Sequence, residues 1–163
     1  MYMRPIKLDL GVAAIVLKDS KVLLVQEARG SYAGLWGLPK GYVEPGELPA
    51  DAVLRELHEE CGVHGTVTGI CGVRECVRNE LARIFIAYNV HIKNQKLAID
   101  VDEIANAKFA SLSELNQFDW ISPAMHELAK SGLQNQSPLE KIDLTSTQSY
   151  PYLVHIAQGV TPT

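Results

Sequence analysis

The chain has 163 residues, of which 47% are hydrophobic, so it is long enough and apolar enough to build one compact domain around its own core. Its net charge of −4 disfavours broad electrostatic binding to nucleic acid, and no apolar run reaches the roughly 18 residues that a membrane span needs. Three cysteines without a Cys-x-x-Cys pair predict neither a disulfide framework nor a zinc site, and the N-terminal residues lack the apolar core of a secretory signal, so we expect a cytoplasmic protein.

Two short apolar runs near the N-terminus predict strands. Residues 10–17 (LGVAAIVL) and 22–26 (VLLVQ) are separated by four polar residues, which indicates a hairpin or a close strand pair. Residues 27–34 follow as a loop, and Trp36 lies in the segment that leads out of it. We expect Trp36 to anchor packing rather than to stack on a base.

A turn-rich loop follows over residues 38–47 (LPKGYVEPGE). Two prolines, together with Gly41 and Gly46, turn the chain sharply and repeatedly. The backbone of this loop can therefore approach a ligand closely.

A helix is predicted over residues 49–61, where most residues are good helix formers. Pro49 is tolerated in the first turn, Asp51 suits the positive N-terminal end, and Gly62 provides a stop. At about 100° per residue, four apolar side chains share one stripe and three acids gather in a second stripe on another side of the helix. The two sets are Val53, Leu54, Leu57 and Cys61, and Glu56, Glu59 and Glu60.

The three glutamates predict a cation site. Like charges three or four residues apart on a helix destabilise each other, so a nearby cation would be stabilising. Mg²⁺ or Mn²⁺ suits this set, because hard divalent cations take oxygen ligands from one or two carboxylates and from substrate phosphates. The alternative is a solvated acidic face, which explains neither the glycine loop ahead of the helix nor the spacing of Glu47 and Arg55.

The spacing across residues 41–63 (GYVEPGELPADAVLRELHEECGV) forms a complete motif. It reads Gly-x5-Glu-x7-Arg-Glu-U-x-Glu-Glu-x-Gly-U, where U is apolar, and no position is missing. On this motif the chain resembles the Nudix hydrolases. The resemblance implies that the carbonyl of Gly41 joins a metal shell formed by the three helix glutamates.

Three further residues in and beside the motif have expected roles. Arg55 should brace the loop on the helix by pairing with Glu47 or Glu59, rather than contact substrate. Lys40 stands where many Nudix proteins have a glycine, and it either meets substrate phosphates or lies on the surface.

Two strands are predicted after the motif, over residues 66–77 and 83–92. A polar segment, residues 74–80, lies between them. Arg74 and Arg78 in that segment either contact substrate phosphates or are solvated.

An acidic loop precedes a short strand predicted over residues 107–110. It contains Asp100, Asp102 and Glu103. Nudix enzymes often supply a further acid from a loop in this region, so the resemblance implies a catalytic role for Glu103, with Asp102 next in order. The alternative is a solvated acidic loop.

The rest of the chain reads as helical and then polar. A short capped turn is predicted over residues 111–115, and a helix over residues 123–130 that ends near Gly132. Residues 134–149 are polar and predict a loop or linker. The apolar residues 150–160 have three possible roles, which the sequence leaves open: they add a strand, cover the substrate cleft or reach a partner subunit.

We divide the chain on this basis into two parts. Residues 1–133 form a Nudix hydrolase domain. Residues 134–163 form a C-terminal extension that packs on the same domain or on a partner subunit in a homodimer.

The resemblance implies an α/β fold, the Nudix α/β/α sandwich, in which a mixed sheet lies between helices and the motif forms a loop, a helix and a loop. The implied function is metal-dependent hydrolysis of a phosphoanhydride in a nucleoside diphosphate linked to another moiety, such as ADP-ribose or a nucleotide sugar. Mg²⁺ is the expected cofactor, with Mn²⁺ as a substitute, and either Glu56 or Glu103 deprotonates the attacking water.

The sequence leaves the substrate open. Asn79 and Glu80 occupy the stretch where a proline marks ADP-ribose hydrolases and a tyrosine marks dinucleoside polyphosphate hydrolases. Residues 24–47 resemble enzymes that remove oxidised guanine nucleotides, so a pool-cleaning pyrophosphatase is the first alternative. A non-catalytic nucleotide sensor would be expected to lose motif carboxylates, which are all kept here, and an RNA-processing enzyme would be expected to show a basic groove with interleaved aromatics.

Overall fold

The computed structural model describes residues 6–134 and 139–150 with their side chains, and the backbone of residues 153–156. The strands of this part of the chain form two sheets. The larger sheet has the spatial order β10 (Leu153–Ile156), β9 (Leu139–Asp143), β6 (Gly65–Arg78), β7 (Leu81–Ile92), β1 (Leu8–Ile15) and β5 (Lys40–Tyr42). The smaller sheet contains β2 (Leu17–Lys18), β3 (Lys21–Glu27), β4 (Trp36–Gly37) and β8 (Ile104–Ala110).

The strand β1 organises the core. It runs parallel to β7 and antiparallel to β5, so the larger sheet is mixed. Alternate residues of β1 belong to two apolar clusters, one under α1 (Pro49–Cys61), which includes Val12, and one under α2 (Pro123–Gln134), which includes Ala13. The two helices therefore lie on opposite sides of the strands, in the layered arrangement that the sequence predicted.

The first two apolar runs form only part of the predicted hairpin. The strands β2 and β3 pair across a turn at Asp19 and Ser20, which both have positive φ, whereas β1 belongs to the other sheet. Most residues of β1 and β3 are buried on both faces, so these runs have no polar alternation. Without that alternation the sequence does not indicate which strands pair.

The strand predicted over residues 66–77 is confirmed, and the polar segment that overlaps its end is mostly strand as well. The strand β6 continues through Arg78, and Asn79 and Glu80, with φ of 53° and 60°, form the turn. Arg74 pairs with Phe85 of β7 within the ladder. This end of the hairpin is largely exposed, and a polar exposed strand resembles a loop in the sequence.

The helix α2 continues beyond its predicted end. It includes Gly132 and reaches Gln134, because Gly132 packs against Ile15, where an added Cβ would overlap the isoleucine side chain. Ahead of it, the predicted capped turn is present over Leu112–Gln117, with the Ser111 and Glu114 side chains forming a capping box.

The C-terminal region contains strands that the sequence did not predict. Residues 134–149, predicted as a loop, include β9, which pairs with β6 at Gly69 and Ile70. The strand β10 pairs with β9, which corresponds to the strand-adding option for the apolar tail, and the other residues of that tail beyond Tyr150 lie outside the described part. Among the described helices, none has both the length and the apolar composition to cross a membrane.

Candidate active site

The helix α1 begins and ends where its sequence predicts. Pro49 occupies the first helical turn, and Gly62, in the left-handed conformation with φ of 68°, donates its N–H to the His58 carbonyl at 2.8 Å. Val53 and Leu57 are fully buried in the core. Because both ends and the apolar stripe are fixed, the directions of the acidic side chains on this helix are fixed as well.

Arg55 ties the loop ahead of α1 to the helix. Its Nε donates to Glu47 Oε1 at 2.8 Å, and its Nη2 donates to Glu47 Oε2 at 3.1 Å and to the Tyr42 carbonyl at 2.9 Å. Its Nη1 donates to Glu56 Oε1 at 2.8 Å. The hydrogen bond with Arg55 lowers the pKa of Glu47, and the hydrogen bond with Glu47 raises the pKa of Arg55 further.

Several carboxylates face one cavity of about 430 Å³ beside α1. Glu56 and Glu60 enter it from the helix, Glu27 from the end of β3, and Glu103 from the loop before β8. The backbone of Gly41 on β5 forms part of the wall. The structure thus brings together acids that are up to 76 positions apart in the sequence. We call this space the acidic cavity.

Glu60 is the most buried of these acids, with only 5% of the residue exposed. Its Oε2 accepts the backbone N–H of Lys40 at 3.1 Å. Burial raises the pKa of Glu60 to about 8, although the nearby Lys40 charge opposes this effect. The Lys40 Nζ itself lies 2.7 Å from Glu27 Oε1, so its charge is paired inside the cavity rather than displayed on the surface.

Glu56 lies directly over the backbone of Gly41. A Cβ added to Gly41 would overlap the Glu56 carboxyl group, so a glycine is required for this approach. Burial raises the pKa of Glu56, and the hydrogen bond from Arg55 opposes the rise. The close approach places the Gly41 backbone beside a carboxylate in the wall of the cavity.

The residues of the acidic cavity fit a hard divalent cation by their chemistry. In the described ranges no three His, Cys, Asp or Glu side chains stand close enough to form a complete ligand cluster. The available donors are nevertheless the carboxylate and carbonyl oxygens that Mg²⁺ binds, and the buried Glu60 charge has little compensation without a cation.

Two of the predicted acids lie elsewhere. Glu59 is outside the lining of the acidic cavity, and its carboxylate, 53% exposed, stands 3.3 Å from Arg55 Nη1. Asp102 is exposed and also lies outside the lining, with its N–H bonded to Asp100. Glu103, in contrast, lines the cavity and forms an ion pair with Arg29 at 3.1 Å.

A second, larger cavity of about 490 Å³ adjoins the acidic cavity. The two share the strand β5, because Lys40, Gly41 and Tyr42 line both. We call it the large cleft. The rest of its lining is aromatic, apolar or charged, and includes Tyr32, Phe85, Ile121, Met125, Asp9, Arg74, Arg78 and Arg83.

Arg74 and Arg78, predicted as candidate substrate contacts, therefore line the large cleft from a strand rather than from a loop. The sequence did not single out Glu27, Arg29 or Arg83. Glu27 ends an apolar strand run, and a charged residue in that position was the available signal. No sequence signal marked Arg83, because it lies near the start of a strand and its position in the cleft depends on the register with β1.

A family model described as the NUDIX domain matches residues 7–130. This match covers most of the chain and includes the loop and helix that form the acidic cavity. The chain belongs to the Nudix family. The motif-based resemblance is thereby confirmed.

Three curated relatives match parts of the chain. The CTP pyrophosphohydrolase of Escherichia coli is 49% identical over 57 residues, which is 34% of this chain and 42% of the relative. The ADP-ribose pyrophosphatase of Methanocaldococcus jannaschii is 37% identical over 73 residues, 45% of this chain and 41% of the relative. The human 8-oxo-dGDP phosphatase NUDT18 is 35% identical over 88 residues, 51% of this chain and 27% of the relative. The matches thus span less than half the length of each relative.

The fold agrees with that of known Nudix structures. A NUDIX hydrolase from Nitrosomonas europaea superposes with a TM-score of 0.65 and 25% identity, over 77% of this chain and 88% of that one. The predicted Nudix α/β/α sandwich is therefore confirmed.

Proposed function

We propose that this protein is a Mg²⁺-dependent Nudix hydrolase that cuts a phosphoanhydride in a nucleoside diphosphate linked to another moiety, with Mn²⁺ as a substitute for Mg²⁺. The supporting observation is that the acidic cavity and the large cleft meet along β5. Oxygen ligands for a cation thus stand beside a cleft of a volume typical for small ligands. Such a pair of spaces suits a substrate whose phosphates lie in one and whose nucleoside lies in the other.

Different residues of the site have different proposed roles in binding the cation and positioning its ligands. Glu56 and Glu60 hold the cation, together with the carbonyl of Gly41, and Glu59 stays a predicted further ligand that would have to turn from Arg55. When bound, Mg²⁺ polarises the phosphoryl oxygens and neutralises charge that develops on them. Arg55 positions Glu56 and Glu47 and does not contact substrate.

A carboxylate must accept the proton of the attacking water, and two candidates line the acidic cavity. Glu56 is held by Arg55, whereas Glu103 sits on a loop and is held by the exposed Arg29. Glu103 is not tied to the Arg55 brace, so we assign the base role to it, with Glu56 as the alternative.

The ADP-ribose or nucleotide-sugar class is the proposed substrate, and the archaeal ADP-ribose pyrophosphatase supports it as a relative. A second candidate is an oxidised guanine nucleotide. It is favoured by the human 8-oxo-dGDP phosphatase, whose match extends over 88 residues. The cytoplasmic location and the homodimer expected from the sequence stay predictions.

The test measures nucleoside monophosphate release from ADP-ribose, a UDP-sugar, 8-oxo-dGDP, 8-oxo-dGTP and CTP, with Mg²⁺ or Mn²⁺. We expect the wild type to cleave one class, and Glu56→Gln and Glu60→Gln to lower kcat at least about 100-fold. Glu103→Gln should also lower kcat. Glu127→Gln, an exposed glutamate on α2, serves as the matched control and should keep full activity.

Two outcomes would contradict the proposal. Binding of a nucleotide without hydrolysis of any substrate would favour the sensor function. Hydrolysis that persists in Glu56→Gln and Glu60→Gln and in the presence of EDTA would exclude the acidic cavity as the reaction site.

A further inference from the structure

The large cleft contains a group of arginines that the hydrolysis of a phosphoanhydride does not require. Arg74 and Arg78 enter it from β6 and Arg83 enters it from β7. Asp9 is the one acid among the described residues that line this cleft. The cleft therefore has a local excess of positive charge in a chain whose net charge is −4.

The three arginines share one face of the sheet because of the strand register. Within β6, positions 74 and 78 are four apart, which is an even step, so their side chains point the same way. Cys76, which lies between them, pairs with Arg83, and Arg83 pairs with Asp9 of β1. The cluster thus belongs to adjacent strands and not to a loop tip.

Arg83 is built into the cleft without a full set of partners. Its Nε is buried and makes no hydrogen bond to the described residues. Asp9 Oδ2 stands 3.2 Å from this nitrogen, close enough for an ion pair but without hydrogen-bond geometry. The Nε therefore faces Asp9, and a ligand in the cleft would meet the other guanidinium nitrogens of this side chain, which is 31% exposed.

Arg74 is held in position beside it. Its guanidinium carbon lies 5.5 Å from the centroid of the Phe85 ring, and its Nη1 donates to the Arg83 carbonyl at 3.3 Å. Gly11 lies against the same ring, and a Cβ there would overlap Phe85. Stacking on a fixed aromatic ring orders the guanidinium before any ligand binds.

The backbone that carries Arg83 is set back from the acidic cavity. Gly41 is opposite Val12, and Val12 is opposite Ile86 of β7. Arg83 is three residues further along β7, so with about 3.3 Å per residue and about 4.8 Å between strands its Cα is roughly 14 Å from that of Gly41. This separation is comparable to the length of a nucleoside and exceeds that of a diphosphate.

We propose that Arg74 and Arg83, with Arg78 at the rim, bind a second phosphate of the substrate, a phosphate monoester on the nucleoside far from the anhydride that is cleaved. The substrate class is then a nucleoside diphosphate derivative that carries a 2′- or 3′-phosphate on its ribose. Guanidinium groups pair with phosphate oxygens through two parallel hydrogen bonds, which suits this ligand. The inference rests on the proposed function for the reaction itself, but the binding site can be tested without it.

The first experiment measures binding by isothermal titration without metal and at fixed ionic strength. The ligands are adenosine 2′,5′-bisphosphate, adenosine 3′,5′-bisphosphate and AMP, with ADP as a control for added charge at the 5′ end. We expect one bisphosphate to bind at least about tenfold more tightly than AMP and ADP, and the better isomer identifies the 2′ or 3′ source. Equal affinity for the bisphosphates and AMP would overturn the proposal.

Arginine variants distinguish specific binding of the additional phosphate from non-specific electrostatic attraction of anions. Arg83→Gln and Arg74→Gln should each remove most of the bisphosphate preference while AMP affinity changes by less than about twofold. Lys108→Gln changes a half-exposed lysine outside both cavities and should leave the preference intact. Because Arg83 pairs with Asp9, Arg74→Gln is the second variant in case Arg83→Gln misfolds. An equal loss of affinity for AMP and the bisphosphate would count against the subsite.

A kinetic comparison distinguishes this inference from the proposed function. ADP-ribose and ADP-ribose 2′-phosphate differ only in the 2′-phosphate monoester, and we expect a higher kcat/KM for the 2′-phosphorylated substrate, lost in Arg74→Gln. Cleavage of both at the same kcat/KM, with no bisphosphate preference, would reject the subsite and keep the hydrolase. Cleavage of neither, together with no activity on the substrate panel above and with the bisphosphate preference intact, would reject the proposed function and keep the subsite.

Discussion

A single side chain, Glu60, connects the stability of this protein to the chemistry of its site. It is 5% exposed, and burial raises its pKa to about 8. The Lys40 N–H and the Lys40 charge only partly compensate an ionised carboxylate there. The helix therefore carries a group that destabilises the metal-free fold when ionised, which is expected where a residue is kept for ligand binding.

The first prediction concerns the pH dependence of stability at this residue. Because the folded pKa of Glu60 lies above the unfolded value, the folded protein holds an extra proton between about pH 4.5 and 8, and stability falls as pH rises through this window. Glu60→Gln cannot ionise. In EDTA its unfolding free energy should match wild type near pH 5 and exceed it by up to about 5 kcal/mol at pH 9.

Chemical denaturation at both pH values measures this difference, with Glu127→Gln as the control for titration of other groups. Addition of Mg²⁺ at pH 9 should stabilise wild type and not Glu60→Gln. A constant difference between variant and wild type from pH 5 to pH 9 would show that Glu60 is ionised throughout.

At the scale of the elements, local signals in the sequence predicted local structure. The helix α1 agrees with its prediction at both ends, because Pro49 and Gly62 act within one turn of chain. The partition of β1 and β3 between two sheets was not predictable, since buried strands have the same composition whichever neighbour they pair with.

The site was predictable to a similar extent. The carboxylates on α1 follow from helical spacing alone, whereas Glu27 and Arg83 reach the cavities through strand pairing across the fold. Arg74 was grouped with a polar segment because the exposed end of a long hairpin is as polar as a loop. Long-range register is therefore the information that the sequence pattern lacked.

The second prediction concerns the connection between the loop and α1. Arg55→Lys keeps the positive charge but loses the fork that donates to both oxygens of Glu47 and to the Tyr42 carbonyl. We expect a loss of about 1–3 kcal/mol in unfolding free energy and a lower kcat, because Glu56 loses its orienting partner.

Arg29→Lys is the matched control for this change. Arg29 and Glu103 are largely exposed, with 69% and 46% of their side chains accessible, so this ion pair should contribute less than about 0.5 kcal/mol. Thermal and urea denaturation compare the two variants. Equal destabilisation by both lysine variants would contradict the structural role of Arg55.

At the scale of the whole molecule, charge is distributed between two adjoining spaces. Five glutamates line the acidic cavity and three arginines line the large cleft, yet the net charge of the chain is only −4. The strand β5 separates the two, so a substrate that spans it meets a cation-binding side and an anion-binding side. The net charge of the chain does not show this separation, because acidic and basic residues cancel in the total. The fold places them in two different spaces.

The last prediction concerns the division of the chain at residues 133 and 134. No described residue of β9 is buried, and this strand pairs with β6 only at Gly69 and Ile70, so β9 should contribute little to the core. A chain that ends at Gln134 should unfold cooperatively, with a Tm lower by no more than several degrees, and should keep its hydrolase activity. Circular dichroism melts and the substrate panel measure both properties.

A chain that ends at Ser122 provides the control, because it also removes α2, whose Met125, Leu128 and Ala129 are buried in the core. It should not fold cooperatively. Size-exclusion chromatography of the chain that ends at Gln134 tests the partner role of the extension, since a dimer that becomes a monomer would show that the extension bridges two subunits. If the chain that ends at Gln134 does not fold, the extension is part of the domain. In that case β9 is needed to cover the edge of β6.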